Sequence, residues 1–372
     1  MSVVISGTGL YTPTQSISND ELVHCFNQYV EKFNLINSQD IQEGKVTALS
    51  PSDSSFIEKA SGIKSRYVME KDNILNVDVM APRYVERGND QLSMQAEIGV
   101  AAAKDAMLAA NKTPADIDLI IVACAYTQRS YPAMAIEIQH ALGCGGWGFD
   151  MLVACSAATF GIINAANAVR SGTAKTVLVI NPEILSPQIN YRDRDSHFIF
   201  GDVATASIIE DESTANAEHV FKIISEKPMT SFSNNIRSNI GYMNKCTPDN
   251  ADDDDKFFIQ QGRKVFKEVL PMVSNLITTE MVKMGLGAED IKRLYLHQAN
   301  INMNNFAAKK LLGRLPTLEE APVVLDEFAN TASSGSVIAF HKYKADFKTG
   351  DKGLICSFGA GYSIGSLMVE KV

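Results

Sequence analysis

The chain has no apolar run near the roughly 18 residues that a membrane-crossing helix requires; its longest, residues 119–126, falls far short. Nor does it open with a basic segment, an apolar core and a small-residue cleavage site, so no secretory signal is visible and the expected location is the cytoplasm. Positive charge is not in excess. Lys and Arg number 34 against 43 Asp and Glu, a net charge of −9, which argues against nucleic-acid binding and leaves a local basic patch as the means of meeting an acidic partner. The six cysteines, at 25, 124, 144, 155, 246 and 356, include no Cys-x-x-Cys pair and are spread too widely for a disulfide framework. Most therefore read as small buried apolar residues, and no metal site is expected. With 45% hydrophobic and 21% charged residues over 372 positions, disorder is excluded, and there is chain enough for two packed domains or one doubled one.

What is present is an alternation of strands and helices, the pattern of an α/β protein. Residues 3–5, 117–125, 149–154 and 176–180 read as near-continuous apolar strands buried on both faces. Ser18-Asn19-Asp20-Glu21 is a capping box, and Leu22, Phe26, Tyr29, Val30 and Phe33 follow at helical spacing. Residues 34–55 and 68–89 are polar and break the rhythm as loops or insertions, and 249–255, with four consecutive aspartates, reads as a solvated loop. Two stretches repeat one another. Met107 to Ile117 ends a helix and enters a strand through Pro114-Ala115-Asp116, and Met281 to Ile291 does the same through Ala288-Glu289-Asp290 at an unchanged separation. Gly172 precedes the strand at 177–180 much as Gly350 precedes 354–358. The pattern predicts a doubled architecture with halves at 1–214 and 215–372, although a shared helix-turn-strand grammar in two unrelated units would look similar.

Cys155 stands where the strand at 149–154 gives way to a small-residue helix beginning Ser156-Ala157-Ala158. A thiol there faces the positive end of a helix dipole, which predicts a lowered pKa and a nucleophilic sulfur. His297 follows the strand Leu294-Tyr295-Leu296, at the carboxyl end where ligands and reactive groups of α/β sheets collect. The other five histidines carry no such placement. Asn330 lies in Ala329-Asn330-Thr331-Ala332-Ser333-Ser334 before a helix, and on its own it reads first as a helix-start turn, since Asn, Ser and Thr are the usual caps. The Gly-rich stretch Phe358-Gly359-Ala360-Gly361 is a tight turn or a set of backbone N–H groups for an oxyanion.

With Gly7-Thr8-Gly9, Ser61-Gly62-Ile63 with Arg66, Ala154-Cys155, Phe200-Gly201-Asp202, His297-Gln298-Ala299-Asn300, Asn330-Thr331 and Phe358-Gly359 in that order, the chain resembles the 3-oxoacyl-[acyl-carrier-protein] synthase III family of the thiolase superfamily along nearly its whole length. The resemblance implies a five-layered α-β-α-β-α thiolase-like fold, normally a homodimer, with a Cys155, His297, Asn330 site. It implies that Cys155 takes the acyl group of an acyl-CoA, with the oxyanion held by the N–H of Cys155 and one from Gly359, Ala360 or Gly361. Malonyl-acyl-carrier protein would then lose CO2 against His297 and Asn330 and attack the acyl-Cys155, with no metal or organic cofactor. Phe56 and Arg194 match an adenine sandwich, with Phe where an aromatic residue stands in the family, and Ala60 replaces an arginine. Phe358 lies beside the substrate site, and Tyr131 matches the aromatic residue by which a dimer partner closes the acyl pocket. Asn302 replaces the carrier-protein arginine, whereas Lys309, Lys310 and nearby Arg314 are the natural contacts for an acidic carrier protein, or simply a solvated helix face. Together with the two insertions, these departures predict a primer longer or more branched than acetyl.

Three other functions fit less of the sequence. A papain-like thiol hydrolase also orders Cys, His and Asn along the chain, but Ser156 stands where its Trp belongs. A non-decarboxylating acyltransferase of the same fold would need no malonyl thioester, and a silent carrier-protein scaffold would not need all three polar residues.

Overall fold

The computed structural model describes residues 2–250 and 253–372, and strands and helices alternate along it. The first half runs β1 (Val3–Tyr11), β2 (Gln15–Ser18), α1 (Asn19–Ile36), α2 (Ser38–Gln42), α3 (Ser54–Ser61), β3 (Ser65–Val68), α4 (Met94–Ala109), β4 (Leu119–Cys124), α5 (Met134–Leu142), β5 (Trp147–Leu152), α6 (Ala157–Arg170), β6 (Thr176–Glu183) and β7 (Val203–Asp211). The second runs β8 (Phe221–Ser233), β9 (Ile236–Arg237), β10 (Ile259–Gln260), α7 (Gly262–Met284), β11 (Ile291–Leu296), α8 (Ile301–Leu312), α9 (Leu325–Phe328), α10 (Ser334–Tyr343), β12 (Lys352–Gly359) and β13 (Gly361–Lys371).

The repeat in the sequence is a repeat of hydrogen bonds. After α4 the chain turns through Asn111 at φ 54°, and the Lys112 N–H returns to the Met107 carbonyl at 2.8 Å. After α7 it turns through Gly285 at φ 69°, and the Leu286 N–H returns to Met281 at 2.9 Å. Both are the left-handed helix stop that satisfies orphan carbonyls. In each half a carboxylate then caps the next turn, Asp116 taking the Thr113 N–H and Asp290 the Gly287 N–H, both at 2.7 Å.

The large sheet has the order β11-β12-β13-β8-β1-β7-β6-β4-β5. Its middle is thin, because β8 meets β1 through only Lys222 and Phe221, so two sheets join there. In each, two parallel strands lie outside an antiparallel pair: β4 with β6 against β7, and β11 with β12 against β13. Helices α6 and α10 pack against strands of both sheets, whereas α4 and α5 cover the first and α7 the second, with α8 packed against α7. This is the five-layered α-β-α-β-α sandwich. The central helix α6 can be enclosed because it is small-faced: a Cβ on Gly161 would stand 2.8 Å from Val179.

Two expectations need correction. The strand near 149–154 is not buried on both faces; as β5 it is the sheet's outer edge, with Trp147 44% and Leu152 57% exposed. Residues 34–55 are not all loop, since α1 runs on to Ile36 and α2 follows. There Asn34 pairs with the backbone of Leu49 in both directions (2.9 and 3.0 Å), doing for the chain what a neighbouring strand would. Of the aspartate run, Asp252 lies outside the described residues, while Asp253 and Asp254 are exposed. The capping box does form, with the Glu21 N–H on Ser18 Oγ at 3.2 Å and the Ser18 N–H on Glu21 at 2.9 Å. Residues 69–93 hold neither helix nor strand, and no helix among the described residues is long and apolar enough to cross a membrane.

Candidate active site

Cys155 sits in a short 3-10 turn between β5 and α6, directly after Ala154, whose φ is +44°. Its side chain borders the apolar cluster of Leu185, Ile199, Phe200 and Ala332. The end of β12 presses against it from the other side: a Cβ on Gly359 would lie 2.6 Å from the Cys155 Cβ and 2.9 Å from Sγ, so only glycine fits. Burial pushes the thiol up to about 12, the nearby Glu183 adds to the shift, and the N–H groups of Ala360 and of Cys155 itself oppose it. The resting group is thus a thiol, which corrects the expected lowering. A helix start favours the thiolate, but removal from water disfavours it more.

Phe358 precedes Gly359, and the ring of His297 stands edge-on to it with centroids 5.3 Å apart. His297 is 3% exposed, and its Nδ1 has no partner among the described residues. Burial lowers its pKa to about 4 against an opposing contact with the Ala332 backbone, so the ring is a neutral imidazole near pH 7. The same Ala332 gives its N–H to Asn330 Oδ1 at 2.9 Å, which leaves the amide's NH2 end free of any protein acceptor among the described residues. The backbone of Asn330 is itself fixed, donating to Ile199 at 3.0 Å and accepting from Gly201 at 3.1 Å. An unbroken path of contacts therefore runs Cys155, Gly359, Phe358, His297, Ala332, Asn330. Ala154, Ala329 and Ala332, at φ 44°, 57° and 45°, lie on or beside it, and strained backbone of this kind collects at functional sites.

A cavity of about 650 Å³ leads outward from buried Asn330 past Phe198, Phe258, Met303 and Phe56 to exposed Arg263. At its rim the Arg194 guanidinium lies directly on the Phe56 ring, 4.3 Å from the centroid, so a flat group between them would have to part the pair. Tyr131 is 79% exposed. Lys309 and Lys310 are exposed at the end of α8, whereas Arg314 is committed to a two-point ion pair with Glu320.

A family model for 3-oxoacyl-[acyl-carrier-protein] synthase III matches residues 149–226, and its C-terminal counterpart matches residues 281–371. A Pseudomonas aeruginosa protein named beta-ketodecanoyl-[acyl-carrier-protein] synthase is 50% identical over 346 residues, 93% of this chain and 99% of its own length. The chain belongs to the 3-oxoacyl-[acyl-carrier-protein] synthase III family. A synthase III from Brucella anthropi is 32% identical over 76% of this chain and 85% of its own. The crystal structure of the synthase III from Aquifex aeolicus VF5 superposes with a TM-score of 0.75 at 24% identity, covering 99% of both chains, and so shares the fold. As a synthase III, the protein is an acyltransferase of fatty acid synthesis that works by Claisen condensation.

Sequence reasoning passed over two parts of this synthase. Arg263, Lys264 and Lys267 are exposed in the first turns of α7, and Phe266 meets Phe306 of α8 at 5.4 Å, which sets them beside the lysines of α8. The cluster Arg263-Lys264-Val265-Phe266-Lys267 was the available signal. Glu183 is the other, and its only signal was a charged residue ending an apolar strand.

Proposed function

We propose that the chain condenses a medium-chain acyl-CoA with malonyl-acyl-carrier protein through an acyl-Cys155 intermediate. The contact path from Cys155 through Gly359 and Phe358 to His297 and Asn330 carries this reading. Cys155 Sγ attacks the thioester carbonyl, the oxyanion is met by the N–H groups of Cys155 and Ala360, and the thiol proton leaves with CoA. Malonyl-carrier protein then places its thioester carbonyl against His297 and the Asn330 NH2. Loss of CO2 leaves an enolate that both groups hydrogen-bond, and its carbon attacks the acyl-Cys155 carbonyl. The Cys155 thiolate departs and regains a proton from solvent, so one proton is taken up per CO2 released. A neutral imidazole suits His297, because it donates one N–H without adding a charge to the pocket.

The relative named for a ketodecanoyl product supports an eight-carbon primer, since malonyl contributes two carbons. Phe56 and Arg194 would open to admit the CoA adenine, with Phe358 and the partner's aromatic Tyr131 lining the acyl site. Arg263, Lys264 and Lys267 with Lys309 and Lys310 form the contact for the acidic carrier protein, and Arg314 lies beyond it. The open edge of β5, with Trp147, Leu152 and nearby Ile136 exposed, fits pairing with a second copy in a homodimer. Residues 1–214 and 215–372 are the two halves, and six unpaired cysteines fit a reducing cytoplasm.

The test is to incubate the protein with straight-chain acyl-CoAs from acetyl to dodecanoyl, read Cys155 by intact mass, then add malonyl-carrier protein. Acylation and CO2-releasing condensation should peak near octanoyl. Transfer to an amine or hydroxyl without malonyl would make it the other acyltransferase, and no acylation at all would leave a scaffold.

A further inference from the structure

Glu183 is the last residue of β6, and none of it reaches solvent. A carboxyl so placed persists only where donors meet it, and here they arrive from both halves. Ala125, just past β4, aims its N–H at the two oxygens from 3.2 and 3.1 Å. Ser333, just before α10, gives its N–H at 3.4 Å and its hydroxyl as well. Next to it Ser334 is tied to the same region, with Oγ 3.2 Å from the Asn181 carbonyl and 3.0 Å from the Thr205 hydroxyl. The turn carrying Asn330 is thus held by backbone bonds at 199–201 on one side and by the end of β6 on the other. Between the two anchors lies Ala332, which touches both Asn330 and His297 and sits at a φ that an unanchored turn would relax.

We infer that Glu183 is a positioning residue for condensation, clamping the Ser333 side of the turn so that Asn330 and His297 keep their places opposite Cys155. The inference rests on the function proposed above and names what holds its second step in register. Glu183 itself meets no reacting atom. Burial raises its pKa to about 7, yet the clamp survives in either form, because the Ser333 hydroxyl can donate to a carboxylate or accept from a carboxylic acid.

Glu183→Ala, Glu183→Gln and Ser333→Ala should be compared with the unaltered protein in two measurements: formation of acyl-Cys155, and condensation by pre-acylated enzyme. Glu183→Ala removes a charge that raises the Cys155 thiol, so acylation should be no more than about threefold slower and can be faster, while the kcat of condensation falls by roughly tenfold or more, with the KM for malonyl-carrier protein little changed. Glu183→Gln can keep its carbonyl oxygen at the Oε1 position, where the Ser333 N–H, the Ser333 hydroxyl and the Ala125 N–H converge, with its NH2 in the place of Oε2, so it should recover most of the loss. Ser333→Ala keeps its backbone contact and should show the same defect, only smaller. Equal loss in both steps, no loss in Glu183→Ala, or a Gln variant as impaired as Ala would overturn the clamp. Should Glu183→Ala fail to fold, Ser333→Ala decides, with impairment confined to condensation supporting the clamp and full activity refuting it. An unaltered protein that neither acylates nor condenses would instead remove the proposed function.

Discussion

The first half turns from α4 to β4 through Asn111 and a carboxylate cap, and the second turns from α7 to β11 through Gly285 and the same cap. Where the halves meet around the cavity, the likeness stops. Strands β6 and β12 hold corresponding places in the two sheets, yet one ends in Glu183 and the other in Gly359. The turn ahead of α6 carries Cys155, whereas the turn ahead of α10 carries Ser333 and Asn330. After β4 comes Ala125, and after β11 comes His297. The difference teaches that backbone hydrogen bonds and burial maintain the repeated frame, while the strand ends, which the frame leaves free, diverged to hold complementary groups.

The comparison can be broken most forcefully at Gly359. Giving β12 a side chain at its end, as β6 has, forces a Cβ to within 2.6 Å of Cys155. Gly359→Ala should abolish detectable acylation and cost about 1–3 kcal/mol of stability, read by urea unfolding and intact mass. A stable and active Gly359→Ala protein would show that the two strand ends are interchangeable.

A smaller effect separates the halves by acid. Burial lowers His197 in the first half to about 4, and likewise His297 and His341 in the second. In the unfolded chain these rings titrate near 6.5, so between about 6.5 and 4 the unfolded state binds more protons and folding stability falls as pH falls. Three carboxyls raised by burial, Glu183 to about 7 and Asp150 and Asp202 above their usual range, work in the opposite sense and blunt the slope. Unfolding free energy should drop by a few kcal/mol between pH 7 and 4.5, and His341→Gln should flatten the slope more gently than His341→Gln combined with His197→Gln. A flat profile would mean these rings protonate without cost.

The smallest test asks whether the shared turn is equally costly on both sides. Asn111→Ala and Gly285→Ala each place a Cβ-bearing residue of low left-handed tolerance at φ above 50°, and each should cost about 1 kcal/mol in thermal or urea unfolding. Unequal costs would show that the two turns share a shape without sharing its energetics.

Features set by residues a few places apart were legible in the sequence: the Ser18 capping box, the repeated helix stops, and the strand leading to Cys155. Those set by distant partners were not. Nothing within 149–154 tells that no strand lies beyond it, so the edge position of β5 was hidden behind an apolar composition. Leu35 and Ile36 face solvent at the end of α1, which erased the helical periodicity there, and the support from Asn34 to Leu49 spans a loop. The Cys155 thiol shows the same division, because the helix start is local and visible while the enclosing walls come from β12 and from the loop around Phe200. Cys155, His297 and Asn330 were singled out by motif order, and the contacts joining them run through Phe358, Gly359 and Ala332, whose spatial place no short motif reveals.

The enclosure of that sulfur also governs what it ignores. A cysteine that stays protonated is a slow target for peroxide, iodoacetamide or stray disulfides. The same walls that would seat an acyl group on Cys155 thus also hold its sulfur in the form that such reagents attack least.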